Sequence, residues 1–179
     1  LFHVKQGDGM IENESVRIID QKTIRATSER AFASPRKRMN FNFHQLDDQV
    51  QRMLNAMEPE TYVRPHRHVN PPKIECFLVL RGKCTVVIFD DIGTITDCVP
   101  LDGKENAGID ISPGVWHSLI CDIPGTVLFE TKDGPYIPAT DKDFAVWAPA
   151  EGDPAATGFR DQTRDVVRRI LKQRNYRSA

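Results

Sequence analysis

The period of the apolar positions changes along the chain and divides it into zones. Residues 1–15 are polar and carry no period. In "VRIIDQKTIRATSERAFAS" the spacing turns helical: Asp20 reads as an N-cap, Ile24, Ala31 and Phe32 follow at helix-like intervals, and Pro35 ends the run. From about residue 40 to 137 the apolar runs shorten to strand length: "FNFH", "VQRMLNAM", "TYVRPHRH", "IECFLVLRG", "CTVVIFDD", "TITDCVPL", "GIDIS", "HSLICD" and "TVLFETK". Gly, Pro or Asp separates most of them, which predicts a sandwich or barrel rather than alternating β and α units. After the extended "DFAVWAPAEGDPAATG", the stretch "FRDQTRDVVRRILKQRNY" sets Phe159, Val166, Val167, Ile170 and Leu171 on one face of a C-terminal helix with arginines around the rest. The expected organisation is a leader and short helix over 1–39, a mainly β unit with its closing segment over 40–152, and a helical extension over 153–179.

Composition changes this picture little. With 40% hydrophobic and 27% charged residues in 179, the chain has enough apolar material for one substantial core. A net charge of -1 gives no general attraction to nucleic acid or to a membrane surface, and no apolar run reaches the roughly 18 residues of a membrane span. Cys76, Cys84, Cys98 and Cys121 form no CxxC pair, as expected of reduced thiols in a cytoplasmic protein.

The candidate chemistry lies in "YVRPHRHVNPPKIECFLVLRG". Side chains alternate across a strand, so His66 and His68 project from one face about 7 Å apart and Arg67 from the other. After the "VNPP" turn, Glu75 opens the next strand and can bring a carboxylate to the same point; a fourth donor, His117, follows the turn in "SPGVWHSLI". Three imidazoles and one carboxylate suit a divalent transition ion such as iron, nickel, zinc or manganese, with one or two positions left for water or substrate.

These residues carry a resemblance. "PHRHVNPPKIECFLVLRG" followed by "SPGVWHSLI" resembles the two metal-binding motifs of the cupin superfamily, with His66, His68, Glu75 and Gly82 in the first and Gly114 and His117 in the second. The departures are Glu60 in place of the leading glycine, six residues between His68 and Glu75, Ser112 in place of proline and Cys121 in place of asparagine. More narrowly, "SPRKRMNFNFH", "FDDIGTIT", "VLFETKDGPY" and "KDFAVWAPAEG" are similar to WbuC-type cupin metalloproteins over about residues 17–152. That resemblance implies a small antiparallel β-barrel of the jelly-roll type, one bound divalent metal, a bacterial cytoplasmic protein, pairing of barrels into a homodimer, and an association with surface-polysaccharide genes. It does not supply the reaction.

Strand parity ranks further residues. Counted back from His66, Arg64 and Tyr62 share its face, where Arg64 is either a solvated rim residue or an anion clamp. Glu130 and Lys132 share a face: turned inward they supply a base and a cation beside substrate, turned outward they form a surface ion pair. Arg36 and Arg38 form a basic loop able to hold an anion, and His44 and Tyr136 are either cavity or packing residues. Three classes of function fit: a metalloenzyme for a small polar, anionic or sugar-related molecule; a metal-free sugar epimerase exchanging a proton between a histidine and a tyrosine; and a non-catalytic binding or sensing module.

Overall fold

The computed structural model describes residues 16–178; the expected leader over residues 1–15 lies outside them. Helix α1 (Gln21–Ala33) is capped by the Asp20 side chain, which accepts from the Thr23 N–H at 2.8 Å. Its buried side is Ile24, Thr27, Ser28 and Ala31, one stripe at helical spacing. Phe32, expected on that stripe, is 66% exposed, because the next position round a helix turns about 100° away from Ala31.

Among the described residues ten strands follow: β1 (Arg38–Asn42), β2 (Val50–Met57), β3 (His66–Arg67), β4 (Glu75–Arg81), β5 (Cys84–Phe89), β6 (Ile95–Leu101), β7 (Gly108–Ile111), β8 (Trp116–Cys121), β9 (Thr126–Asp133) and β10 (Asp143–Phe144). They form two five-stranded sheets, β1-β2-β9-β4-β7 and β10-β3-β8-β5-β6, in which every pairing is antiparallel. The architecture is mainly β with a helix at either end, as expected, but the sheets do not close into one hydrogen-bonded barrel. Each keeps its own edge strands, and the expected long strand "TYVRPHRH" pairs only at His66 and Arg67. Pro65 lacks the N–H that would extend the ladder.

The two inner faces meet over Met57, Phe77, Val86, Leu101, Leu119 and Leu128. Outside, α1 packs on Leu54, Ala56 and Val127 of the first sheet, while the C-terminal helix α2 (Ala155–Ser178) packs Val167, Phe159, Ile170 and Leu171 over Val87, Phe89 and Cys98 of the second. None of the helices among the described residues is long and apolar enough to cross a membrane.

Gly82, in the link from β4 to β5, adopts φ +86°, and a Cβ there would lie 2.4 Å from Thr126 Oγ1. Glycine is required on both counts.

The inner faces are apolar at one end and polar at the other. In β2 the inward series runs Gln51, Met53, Asn55, Met57; in β9 it runs Thr126, Leu128, Glu130, Lys132; in β4 it starts at Glu75 before Phe77. The polar ends lie side by side because the register pairs Glu75 with Lys132 and Phe77 with Glu130. A sandwich filled by side chains at one end is thereby left with a polar cavity of about 490 Å³ at the other.

Candidate metal centre

His66, Glu75 and His117 line this cavity and His68 stands beside them; all four are buried, with their ligand atoms within 4.8 Å of one another. β3 pairs with β8 through His66 and His117, and their rings stand 4.5 Å apart between centroids. Glu75 comes from the facing sheet and places Oε2 2.9 Å from His117 Nε2 and 3.5 Å from His68 Nε2.

The tautomers follow from the hydrogen bonds. His66 Nδ1 lies 2.9 Å from the Arg64 carbonyl, His117 Nδ1 2.9 Å from the Val115 carbonyl, and His68 Nδ1 against the carbonyl of Asp141. A carbonyl oxygen only accepts, so every Nδ1 carries its proton and every Nε2 turns a lone pair to the centre. His68 Nε2, His117 Nε2 and Glu75 Oε2 are fully enclosed without a hydrogen-bond partner. Buried acceptors facing one another without a donor are costly, and a cation offsets that cost for all of them at once. The donor set therefore fits a divalent transition ion: three neutral imidazoles and one carboxylate. Burial, with the Lys142 charge beside it, holds the His66 imidazole well below its ordinary value, which favours the neutral, ligating form. Burial pushes Glu75 upward, but its contacts with His117 and His68 outweigh this and hold it well below the usual carboxylate range.

Glu130 and Lys132 both face inward, which removes the outward ion pair. Asn55 donates to Glu130 Oε2 at 3.0 Å. Burial, followed by the neighbouring Glu75 charge, pushes the Glu130 carboxyl up to about 8. Burial alone would lower Lys132, but Glu130, Glu75 and Asp141 around it raise it. Its Nζ donates to Asp141 Oδ2 at 2.7 Å and lies 5.8 Å from the Tyr136 ring centroid. Tyr136 and His44 line the cavity. His44 Nδ1 lies 2.8 Å from both the N–H and the carbonyl oxygen of Arg52, which fixes the ring against β2.

Arg36 and Arg38 also reach the cavity, but both are held by Glu151, at 2.6 Å each, so one carboxylate already offsets part of their charge. Arg64 and Tyr62 depart from their expected place on the His66 face. Arg64 Nη2 donates to the Ala145 carbonyl at 2.7 Å with its guanidinium 5.3 Å from the Phe144 ring, and Tyr62 donates to Pro149 O at 2.8 Å and meets Phe159 of α2. Neither lines the cavity, whereas Val63 does. The alternation slips between Val63 and His66, where the chain is extended but outside any ladder, so parity counted through Pro65 fails.

Two residues of the site, Asp141 and Lys142, carried no motif. Asp141 supplies the carbonyl that orients His68, and its buried carboxylate bridges Lys73 Nζ at 2.9 Å and Lys132 Nζ at 2.7 Å. Lys142 lines the cavity next to it. The alternating polar positions Gln51 and Asn55 in "VQRMLNAM" were a legible sign of a cavity; Asp141 and Lys142 left no local sign.

A family profile described as a domain of unknown function (DUF6016) matches residues 19–101, fewer than half of the 179. No curated protein matches the sequence. Among solved structures, the chain is similar to KdgF from Halomonas sp. at 12% identity, covering 56% of this chain and 82% of that one with a TM-score of 0.44. The solved structures it resembles are cupin-fold proteins. They include the capsular polysaccharide assembling protein CapF from Staphylococcus aureus, at 23% identity over 62% of this chain and TM-score 0.47. The chain spans only 30% of CapF's length. The cupin domain of Cnp3 from Schizosaccharomyces pombe matches at 14% identity, over 54% of this chain and 61% of that one, with TM-score 0.42. At such scores the likeness is one of strand arrangement alone.

Proposed function

We propose that this chain is a cupin metalloprotein that holds one divalent transition ion, of iron, nickel, zinc or manganese type, on His66, His68, Glu75 and His117, and acts on a small polar molecule in the cavity above it. The observation that carries this is the set of enclosed acceptor atoms, His68 Nε2, His117 Nε2 and Glu75 Oε2, without a donor among them. The metal-free epimerase reading leaves those atoms unsatisfied.

When bound, such an ion polarises a carbonyl or lowers the pKa of a water. Around it, Glu130 holds or accepts a proton at its carboxyl while Asn55 fixes Oε2 at 3.0 Å. Lys132 stabilises negative charge beside it, and Tyr136 closes the wall next to Lys132. His44 offers its imidazole to the cavity, and Arg36 and Arg38 set the polarity of the rim. The substrate class is small and anionic or sugar-related. The WbuC-type assignment, a bacterial cytoplasmic location and a homodimer belong to the same proposal and rest on the motif resemblance, while the absence of nucleic-acid and membrane partners rests on the net charge of -1 and the lack of a long apolar run.

The test is elemental analysis of tag-free protein, together with a mass-spectrometric search for a co-purified small molecule. About one equivalent of a transition metal is expected, retained through gel filtration and lost when His66 and His117 are both replaced by alanine. Failure to retain iron(II), nickel, zinc or manganese after reconstitution would overturn the assignment. A metal-loaded protein that binds ligands and turns over none of them is instead the sensing module.

A further inference from the structure

We infer that Lys142 is the anion-recognition residue of the cavity, and that the ligand is a small carboxylate whose charged group spans the open side of the ion and the Lys142 ammonium. This rests on the metal-centre reading above.

The placement follows from register. β10 pairs with β3 so that Asp143 faces Arg67 and Phe144 faces His66. Paired residues of an antiparallel ladder project to the same side. Asp143 accordingly binds Arg67 Nε at 2.8 Å, and the half-exposed Phe144 ring lies 6.0 Å from the His66 ring. Immediately before β10, Lys142 lines the cavity, next to Asp141, whose carbonyl holds His68 Nδ1. Neighbouring cations are already engaged: Lys73 and Lys132 share the Asp141 carboxylate, and Arg36 and Arg38 share Glu151. Lys142 makes no ion pair of that kind among the described residues and remains free for a ligand.

Charge balance gives the class of ligand. Around the cavity, Glu75, Glu130, Asp141 and Glu151 stand against Lys73, Lys132, Lys142, Arg36 and Arg38, four acids against five cations. The described side chains already carry one excess positive charge, and a divalent cation adds two more in a partly dehydrated space. Low effective dielectric makes that costly. An anion supplied by the ligand offsets it, and Lys142 together with the ion is the pair of positive groups left to bind it. Carboxylate oxygen suits both a first-row divalent ion and an ammonium donor.

The experiment uses full-length protein loaded with cobalt(II), whose visible spectrum reports the ion's ligands, titrated with acetate and with acetamide, its uncharged isostere. Wild type is expected to show a saturable acetate-dependent spectral change and none with acetamide. Lys142→Met should bind cobalt at the same stoichiometry but acetate about 10- to 100-fold more weakly, the loss typical of a hydrogen bond to a charged group. Lys142→Arg should recover most of the affinity, and Arg64→Ala should match wild type. Unchanged cobalt content serves as the check on folding. Equal acetate affinity in Lys142→Met, no acetate response in wild type, or an equal response to acetamide would overturn the inference while leaving the metal centre standing. Failure of wild type to load cobalt would instead bring down the metal-centre reading, and this inference with it.

Discussion

Replacing Glu75 by Gln separates a metal ligand from a structural ion pair. Glu75 is 2% exposed, and its Oε2 lies 2.9 Å from His117 Nε2 and 3.5 Å from His68 Nε2, with no hydrogen bond to either. If Glu75 is there for a cation, two opposing changes follow in metal-free protein. The amide offers His117 Nε2 a donor and removes a buried charge, worth about 1–3 kcal/mol in favour of the variant. The lysines around the cavity lose one counter-charge, a destabilisation of similar size. The two nearly cancel, and the metal-free melting temperature should move by only about 2–4 °C, which is about 1 kcal/mol for a chain of this length. Zinc at 100 times its Kd should stabilise wild type by about 2.7 kcal/mol, or roughly 5–11 °C. The variant should lose most of that gain. If Glu75 were instead the partner of a charged imidazole in a structural pair, breaking it would cost about 3–5 kcal/mol without metal. Calorimetry at pH 8, first with chelator and then with zinc, reads both quantities. A fall of more than 3 kcal/mol in chelator combined with an undiminished zinc shift would refute the reasoning.

Two further substitutions test the frame around the site. Gly82→Ala forces a Cβ to within 2.4 Å of Thr126 Oγ1 and 2.7 Å of its Cα at φ +86°, and urea titration should show a loss of about 2–5 kcal/mol. Asp141→Asn leaves Lys73 and Lys132 buried without their shared carboxylate and should cost about 3–5 kcal/mol, yet zinc stoichiometry should persist because His68 is held by the main-chain carbonyl. Burial raises the Asp141 carboxyl, but Lys132 and Lys73 outweigh it and bring its pKa below 3.8. A lowered folded pKa makes the contribution full above the unfolded value and lost as pH falls through the folded one. Wild type and Asp141→Asn should therefore converge in stability under acid and diverge toward neutrality, and a constant difference across that range would contradict the ion-pair account.

What the sequence determined by itself was what lies within one strand or one turn. Apart from "TYVRPHRH", the strand-length runs from "VQRMLNAM" to "TVLFETK" became strands nearly where the apolar runs stand, and Asp20 capped α1, because strand period and capping are local properties of the backbone. The ligand set was legible for the same reason: His66 and His68 sit two apart, and Glu75 and His117 each stand at the start of a strand just after a turn. Arg64 and Tyr62 were misplaced because parity was counted through Pro65, where no neighbouring strand holds the chain to a pleat. Closure was overestimated because edge-to-edge pairing of two sheets is decided between strands rather than within them. Asp141 and Lys142 were invisible in "TDKDF" because their roles arise from β10 lying beside β3. His68 and Asp141 are 73 residues apart, and only the folded chain brings the carbonyl of one to the imidazole of the other.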